Sequence, residues 1–425
     1  MTSDWGERDR AVVWHGFTQM DSYLENSPVI VERAEGHYLI DVDGRRYLDA
    51  ISSLWVSTFG HRVPELDAAL VDQLGRVAHS TQLGNGNRIV IELSEALAEV
   101  VPVDRPHFLY ASDGAAAVEQ SLKIAFQYWR NQGIQGRDGY LALGGAYHGD
   151  TVGALSLGGG GFGTDLFDPL RFPVVRAPGY EDPRALTTAS EMVRAHAGEL
   201  AAVIVEPLVQ GAAGMQVADA GAFDVLQQAC RDTGVLLVCD EVATGFGRTG
   251  ALFASERCGL RPDILCLGKG LTGGYLPMSA TAVTEKVFEA FLGDDLGPRT
   301  LYHGHSYQGN ALAAAVALRH LSLIEERSAL ANVSERANQL EVLLEERIES
   351  LPAVAGIRLA GLMCGVELQP GERLGRRVCA AALKRGVLLR PLGDVIVLMP
   401  PLSVTDEEIA MIVDALAGSI IEMTS

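Results

Sequence analysis

Leu236 to Tyr275 reads LLVCDEVATGFGRTGALFASERCGLRPDILCLGKGLTGGY. An apolar run, Val235 to Cys239, stops on the acidic pair Asp240 and Glu241. A second, Ile264 to Leu267, stops on Gly268-Lys269-Gly270. Continuous Val/Ile/Leu runs of this kind mark strands buried on both faces, and ligands bind at the carboxyl ends of such strands. Lys269 follows Asp240 by 29 residues, which fits strand, connection and strand. The spacing predicts an acid at one strand end and a glycine-flanked lysine just past its neighbour. An isolated Asp and Lys are more commonly a strand-end acid and a solvated loop cation. The surrounding motifs decide between the two.

Outward from this stretch, other strand ends carry similar turns. Phe108-Leu109-Tyr110 predicts a short strand that breaks into ASDGAAA (Ala111 to Ala117), and a helix runs on to Trp129. A small-residue turn at a helix N-terminus leaves N–H groups free for a phosphate. An ordinary Ser or Asp N-cap fits the same residues. Leu141-Ala142 leads into GGAYHGD (Gly144 to Asp150), where Tyr147 is placed to stack on a flat ring. Ala201 to Glu206 is another buried strand, followed by Gln210 to Gly214. Strand ends at 110, 143, 206, 240 and 267 thus all open into Gly-rich or charged turns, as one crevice along a sheet edge requires. Strands alternating with helices from about 105 to 285 indicate a parallel α/β sheet. A lysine able to form a Schiff base, with an aspartate for a ring nitrogen, is what pyridoxal 5'-phosphate needs.

The flanking sequence reads more plainly. Residues 11–35 mix aromatic and polar side chains without period, as a packing arm would. Val29 to Asp49 predicts short strands, with Asp43-Gly44 as a hairpin turn. Trp55 falls in a Ser/Thr-rich loop, ISSLWVSTFGH (Ile51 to His61). Pro64 to Val77 is an amphipathic helix with Leu66, Ala69, Leu70, Leu74 and Val77 on one face, and Ile89 to Val101 is another. Gly158 to Gly163 is a flexible loop. In TLYHGHSYQGN (Thr300 to Asn310), His303 and His305 have no third ligand at a fixed spacing, which disfavours zinc. Helices are expected at Ala311–Glu325, Leu330–Leu351, Leu374–Arg385 and Thr405–Glu422. Ala353 to Leu368 reads as strand, turn, strand, and Val387 to Pro401 as two strands. The expected division is an N-terminal arm with part of a small domain over 1–60, a large domain over 61–320, and a C-terminal small α+β domain over 321–425.

Composition narrows the class. The 425 residues are 48% hydrophobic and 21% charged, which excludes a disordered or fibrous chain. Net charge is −20 and no Lys/Arg cluster stands out, so no nucleic-acid partner is expected. Six cysteines form no C-x-x-C pair, and two lie inside apolar runs, consistent with a reduced cytoplasmic protein. No signal peptide and no membrane-length apolar stretch is visible.

DEVATGFGRTG (Asp240 to Gly250), with Lys269 in LGKGLTGGYLP, resembles the signature of class III pyridoxal-phosphate-dependent aminotransferases of fold type I. The similarity runs along nearly the whole chain. It implies an α/β fold with a mostly parallel seven-stranded sheet flanked by helices, a smaller α+β domain, and a homodimer with shared sites. FTQM (Phe17 to Met20), SSLW (Ser52 to Trp55), AHSTQLG (Ala78 to Gly84), YHGDT (Tyr147 to Thr151), VQGAAGM (Val209 to Met215) and LRPLGDVI (Leu389 to Ile396) resemble the branch serving biotin biosynthesis. That branch converts the keto acid 8-amino-7-oxononanoate to 7,8-diaminononanoate, with S-adenosylmethionine or lysine as amino donor.

The resemblance implies a role for each matching residue. Lys269 forms the Schiff base and moves the proton. Asp240 holds the pyridinium nitrogen, Tyr147 stacks on the ring, and Gly114 and Ala115 take the phosphate. Ser306, with His305, adds phosphate contacts from the other subunit. Arg390 clamps the substrate carboxylate, and Gly304, Trp55 and Phe17 line the substrate tunnel. The chain departs from the commoner pattern at Ala243, where many members have Gln, and at Asp113, an acid beside a phosphate turn. Phe17, Leu54 and His305-Ser306 replace residues typical of the S-adenosylmethionine users and match the lysine-using branch. Another ω-aminotransferase acting on diamines, γ-aminobutyrate or ornithine is the alternative. A pyridoxal-phosphate-binding regulator would join the fold to a DNA-binding domain or lack the lysine. A nicotinamide dehydrogenase would need G-x-G-x-x-G after a strand.

Overall fold

The computed structural model describes residues 4–26, 28–161 and 163–425. Phe162, in the glycine-rich run at Gly158 to Gly163, lies outside them. A seven-stranded sheet dominates. Across it the strands run His107–Ala111, Ser279–Val283, Ile264–Leu267, Leu236–Asp240, Leu200–Val205, Gly139–Leu143 and Val175–Ala177. Ser279–Val283 is antiparallel to both neighbours, and the others run parallel. The reversal follows Lys269–Thr272, a 3-10 turn, where Gly273 and Gly274 take φ of 62° and 86°. Glycine adopts that left-handed backbone without penalty. A Cβ on Gly274 would also stand 2.8 Å from the backbone of Ser57.

The apolar runs are continuous because both sheet faces are covered. Leu237, Cys239, Leu265 and Leu267 face one core, and Leu236, Val238, Ile264 and Cys266 face the other. Alternate residues point to opposite faces, so no polar position is left along the run. Helix Gly114–Asn131 covers the second face with Ala117, Val118, Leu122 and Ala125.

Two four-stranded sheets accompany this one, besides the two-stranded pair Val209–Gln210 and Gln216–Val217. Val31–Glu35, Tyr38–Asp41 and Arg46–Asp49 pair antiparallel and are joined in parallel by Val387–Leu388. Val354–Ala360, Met363–Leu368, Val395–Leu398 and Arg390–Leu392 form the other. The first and last parts of the chain therefore share a sheet. The fully buried Arg248 ties this region to the large sheet, donating to Ser57 O at 2.9 Å and Pro400 O at 2.7 Å.

Several local expectations need correction. The helix begun at Pro64 ends at Leu74 rather than Val77, and Leu74 and Val77 are exposed. Trp55 is buried, in a turn whose residues Ser52, Ser53 and Trp55 take positive φ. Val387 to Pro401 holds three strand segments. The arm contains a helix, Trp5–Val12, capped by Asp4. Its mixed polar and aromatic pattern buries no residue, which is why periodicity did not disclose it.

Candidate active site

Strand pairing brings the two key residues together. Leu236–Asp240 lies parallel to Ile264–Leu267, with Asp240 opposite Cys266. Adjacent strands are about 4.8 Å apart, so Lys269, three residues on, emerges beside the acid. Both line a cavity of 720 Å³ with Trp55, Gly114, Ala115, Tyr147, His148, Glu206, Ala212, Val242 and Ala243 among others.

Asp240 is buried and held by two donors. His148 Nδ1 lies 2.7 Å from Oδ2, and Val242 N–H donates to Oδ1 at 3.0 Å. His148 is itself buried, and its Nε2 has no partner among the described residues. Glu206, at the end of Leu200–Val205, accepts N–H groups from Tyr147 (3.1 Å) and Gly211 (3.3 Å). Burial pushes its carboxyl up to about 7; Asp240 adds to the rise and His148 opposes it. Glu241, next to Asp240, is turned away into structural work, accepting from Thr244 and from Ala254 and Ser255 N–H.

Lys269 has a left-handed backbone, φ 40°, between two glycines. Desolvation lowers the basicity of its amine and the Arg248 cation adds to this, while Asp240 and Glu206 oppose. Its Nζ stands 5.5 Å from the centroid of the Trp55 ring. The indole Nε1 of Trp55 is buried without a partner among the described residues. Tyr147 donates its hydroxyl to Asp150 Oδ2 at 2.9 Å, and desolvation first, then this bond, raises its pKa.

At the turn ahead of Gly114, Asp113 is exposed and takes the N-cap place that the sequence allowed. It caps helix Gly114–Asn131, its Oδ1 accepting Ala116 N–H at 2.9 Å, while its backbone carbonyl takes Ala117 N–H. Gly114 and Ala115 N–H have no acceptor among the described residues. A Cβ on Gly114 would meet Val242 at 2.5 Å, so only glycine lets the turn close against that wall.

The structure does not bring the remaining candidates into this cavity. Phe17 is 60% exposed and borders a small adjoining space with Gly145, Ala146 and Tyr147. Gly304, His305 and Ser306 lie on a separate loop, with Ser306 O accepting from His79 Nε2 at 2.6 Å. Arg390 is half-buried on its strand, opposite Val397, away from the cavity wall. His303 contacts Lys123 Nζ at 3.2 Å, a cationic neighbour that a metal ligand would not tolerate well. Among the described residues, no group of three or more His, Cys, Asp or Glu is placed to hold a metal, and no helix is long and apolar enough to cross a membrane.

His148 and Glu206 received no role from sequence. Each follows an apolar strand and stands in a glycine-bounded or proline-bounded turn. That was the available signal, but which strands are neighbours was not.

A buried lysine and a braced carboxylate at adjacent strand ends, with free N–H groups at a helix start lining the same cavity, are the groups that a pyridoxal-phosphate transaminase site requires. The chain belongs to the class-III aminotransferase family, whose model matches residues 20–420. It is 47% identical to the adenosylmethionine-8-amino-7-oxononanoate aminotransferase of Nitratidesulfovibrio vulgaris, over 98% of this chain and 81% of that relative. The crystal structure of the enzyme of that name from Methanocaldococcus jannaschii superposes with a TM-score of 0.94, at 38% identity over 98% of each chain. An ω-transaminase from Pseudomonas jessenii, in complex with PMP, gives 0.92 at 29% identity, over 99% of this chain and 98% of that one. The family depends on pyridoxal phosphate. The residues present fit that group: a lysine amine, a braced buried carboxylate, free N–H groups at a helix start, and a wall at Val242 that admits a flat ring.

Proposed function

We propose that the chain transfers an amino group to 8-amino-7-oxononanoate, giving 7,8-diaminononanoate for biotin biosynthesis. The observation that carries this is the Lys269–Asp240 pair in one cavity, within a chain that resembles so-named enzymes along nearly its full length. When bound, pyridoxal phosphate supplies an electron sink for amino-group transfer. This chain's residues supply the rest. Asp240, braced by His148 and Val242 N–H, would hold a positive ring nitrogen. Gly114 and Ala115 N–H take the phosphate at the positive end of their helix. Lys269 Nζ, with its basicity depressed, takes up and returns a proton near neutral pH. Tyr147 and Trp55 cover the ring and keep water out.

A homodimer completes the site in this proposal. Gly304, His305 and Ser306 lie outside their own protomer's cavity, and Tyr302, Tyr307, Leu83 and Leu54 nearby or at the mouth are exposed. Those features suit delivery of the 304–306 loop to a neighbour. Arg390 is assigned to the substrate carboxylate as a bidentate fork. The division at residues 60 and 320 is supported by the segregation of the sheets, and the cytoplasm is the proposed compartment.

For the donor, lysine is proposed on Phe17, Leu54 and His305-Ser306, whereas the relatives' names specify adenosylmethionine. A half-reaction settles it: each donor is mixed with loaded enzyme and the cofactor's visible absorbance is followed. Bleaching by lysine supports the proposal; bleaching by S-adenosylmethionine alone overturns it. The structural neighbours that are ω-transaminases keep a second acceptor in view. Turnover of pyruvate in place of 8-amino-7-oxononanoate would favour that reading.

A further inference from the structure

Glu206 is a buried carboxyl in the cavity wall whose hydrogen bonds among the described residues all come from backbone N–H groups. Its two oxygens grip two different pieces of that wall. Oε2 takes the N–H of Tyr147, whose ring faces the cavity, and Oε1 takes the N–H of Gly211, which begins the turn carrying Ala212. The turn is packed tightly on its other side. A Cβ on Gly211 would meet Trp55 at 3.2 Å, and Gly214 O accepts from Arg358 Nε at 2.9 Å. The main-chain carbonyl of Glu206 is held as well, by the hydroxyl of buried Tyr180 at 2.6 Å. One residue therefore joins the aromatic wall to the opposite turn, and it does so with a buried carboxyl whose direct hydrogen bonds are all to backbone.

We propose that Glu206 is a positioning residue for the transamination site, locking the Tyr147 strand end to the Gly211 turn and adding a variable negative charge that acts on Lys269. The inference rests on Lys269 being the cofactor-bearing lysine.

The groups facing Glu206 are few. His148 and Asp240 come from the neighbouring strand ends, Lys269 from the strand beyond, and Tyr147 and Tyr180 from the covering turns; Arg248 acts on Lys269 from behind. Glu206 raises the basicity of Lys269 when charged. Burial brings its own protonation to about pH 7, so that charge is present above this pH and absent below. The locking and charging roles are separable by substitution. Glu206→Gln removes the charge and leaves one oxygen to accept. Glu206→Asp keeps the charge and withdraws it by one methylene.

The test is a pH titration of the visible absorbance of the cofactor-loaded full chain, with circular dichroism to confirm folding. Glu206→Gln should lower the titration midpoint by roughly 1 unit, with the two proteins diverging only above pH 7. Glu206→Asp should keep the midpoint near wild type and raise KM by roughly 10-fold with a smaller change in kcat. A midpoint unmoved in folded Glu206→Gln, or wild-type KM in Glu206→Asp, overturns the proposal. A wild-type protein with no absorbance to titrate would instead overturn the assignment of Lys269. In that case the pH dependence of Lys269 acylation, followed by peptide mass mapping in wild type and Glu206→Gln, still reads the charge, and equal midpoints count against it.

Discussion

The floor of the cavity and its mouth are built in contrasting ways. On the floor, Asp240, His148, Glu206 and Lys269 stand at the ends of neighbouring strands, and backbone or side-chain bonds fix the acids and the histidine. At the mouth and beyond it, Leu54, Phe17, Gly304 and Ser306 are exposed and lie on three segments. A sheet edge holds reacting groups rigidly because ladder hydrogen bonds set their spacing. Loops at the rim hold specificity groups only when something else packs against them. In the proposed function the reacting groups come from one chain, and recognition depends on surfaces that this chain leaves open.

This contrast predicts a ranking of substitutions. Lys269→Ala should lower the transamination rate by about 10⁴-fold or more, since it removes both the covalent anchor and the proton carrier. Spectroscopy of the half-reaction checks it; residual turnover near wild type would break the assignment of the floor. Asp240→Asn should lower kcat by about 10²–10³-fold, because the carboxylate charge is lost where positive charge must be held. Arg390→Ala, outside the floor, should act mainly on KM for the keto acid, by about 10- to 100-fold, the loss of a charge-assisted hydrogen bond pair. An unchanged KM would place the carboxylate clamp elsewhere. Phe17→Tyr should change the ratio of donor rates by less than about 10-fold while leaving the keto acid half-reaction alone.

The smallest effect concerns stability. Glu206 has its folded pKa raised, from 4.5 to about 7, so the folded state holds the proton more tightly than the unfolded one. Its burial therefore weighs against folding as pH rises from the unfolded to the folded value, and stays unfavourable above it. The Tm of Glu206→Gln relative to wild type should improve by a few degrees, roughly, between pH 5 and pH 8. A difference independent of pH would mean that this carboxyl titrates normally.

What the sequence disclosed follows the same divide. Asp240 and Lys269 were legible because both end uninterrupted apolar runs, and such runs require strands covered on two sides. The Gly114 turn was legible because small residues precede a strong helix pattern. His148 and Glu206 were not, since their roles depend on the strand from Leu200 lying between those from Gly139 and Leu236, while Val175–Ala177, which comes between the first two in the chain, sits at the sheet edge. The capping by Asp113 was half legible, for one motif serves as N-cap and as phosphate turn at once. The rim residues were reached only through resemblance to a family, because no local pattern distinguishes an exposed Phe or Gly that meets a ligand from one that meets water.

The left-handed backbone at Lys269 has a consequence for anyone selecting hardier forms of this enzyme. Side-chain-bearing residues resist that conformation by roughly 1 kcal/mol or more, and glycine does not. A heat screen blind to turnover would therefore reward Lys269→Gly, and its winners would be robust, well folded and dead. Screens for endurance here must count product.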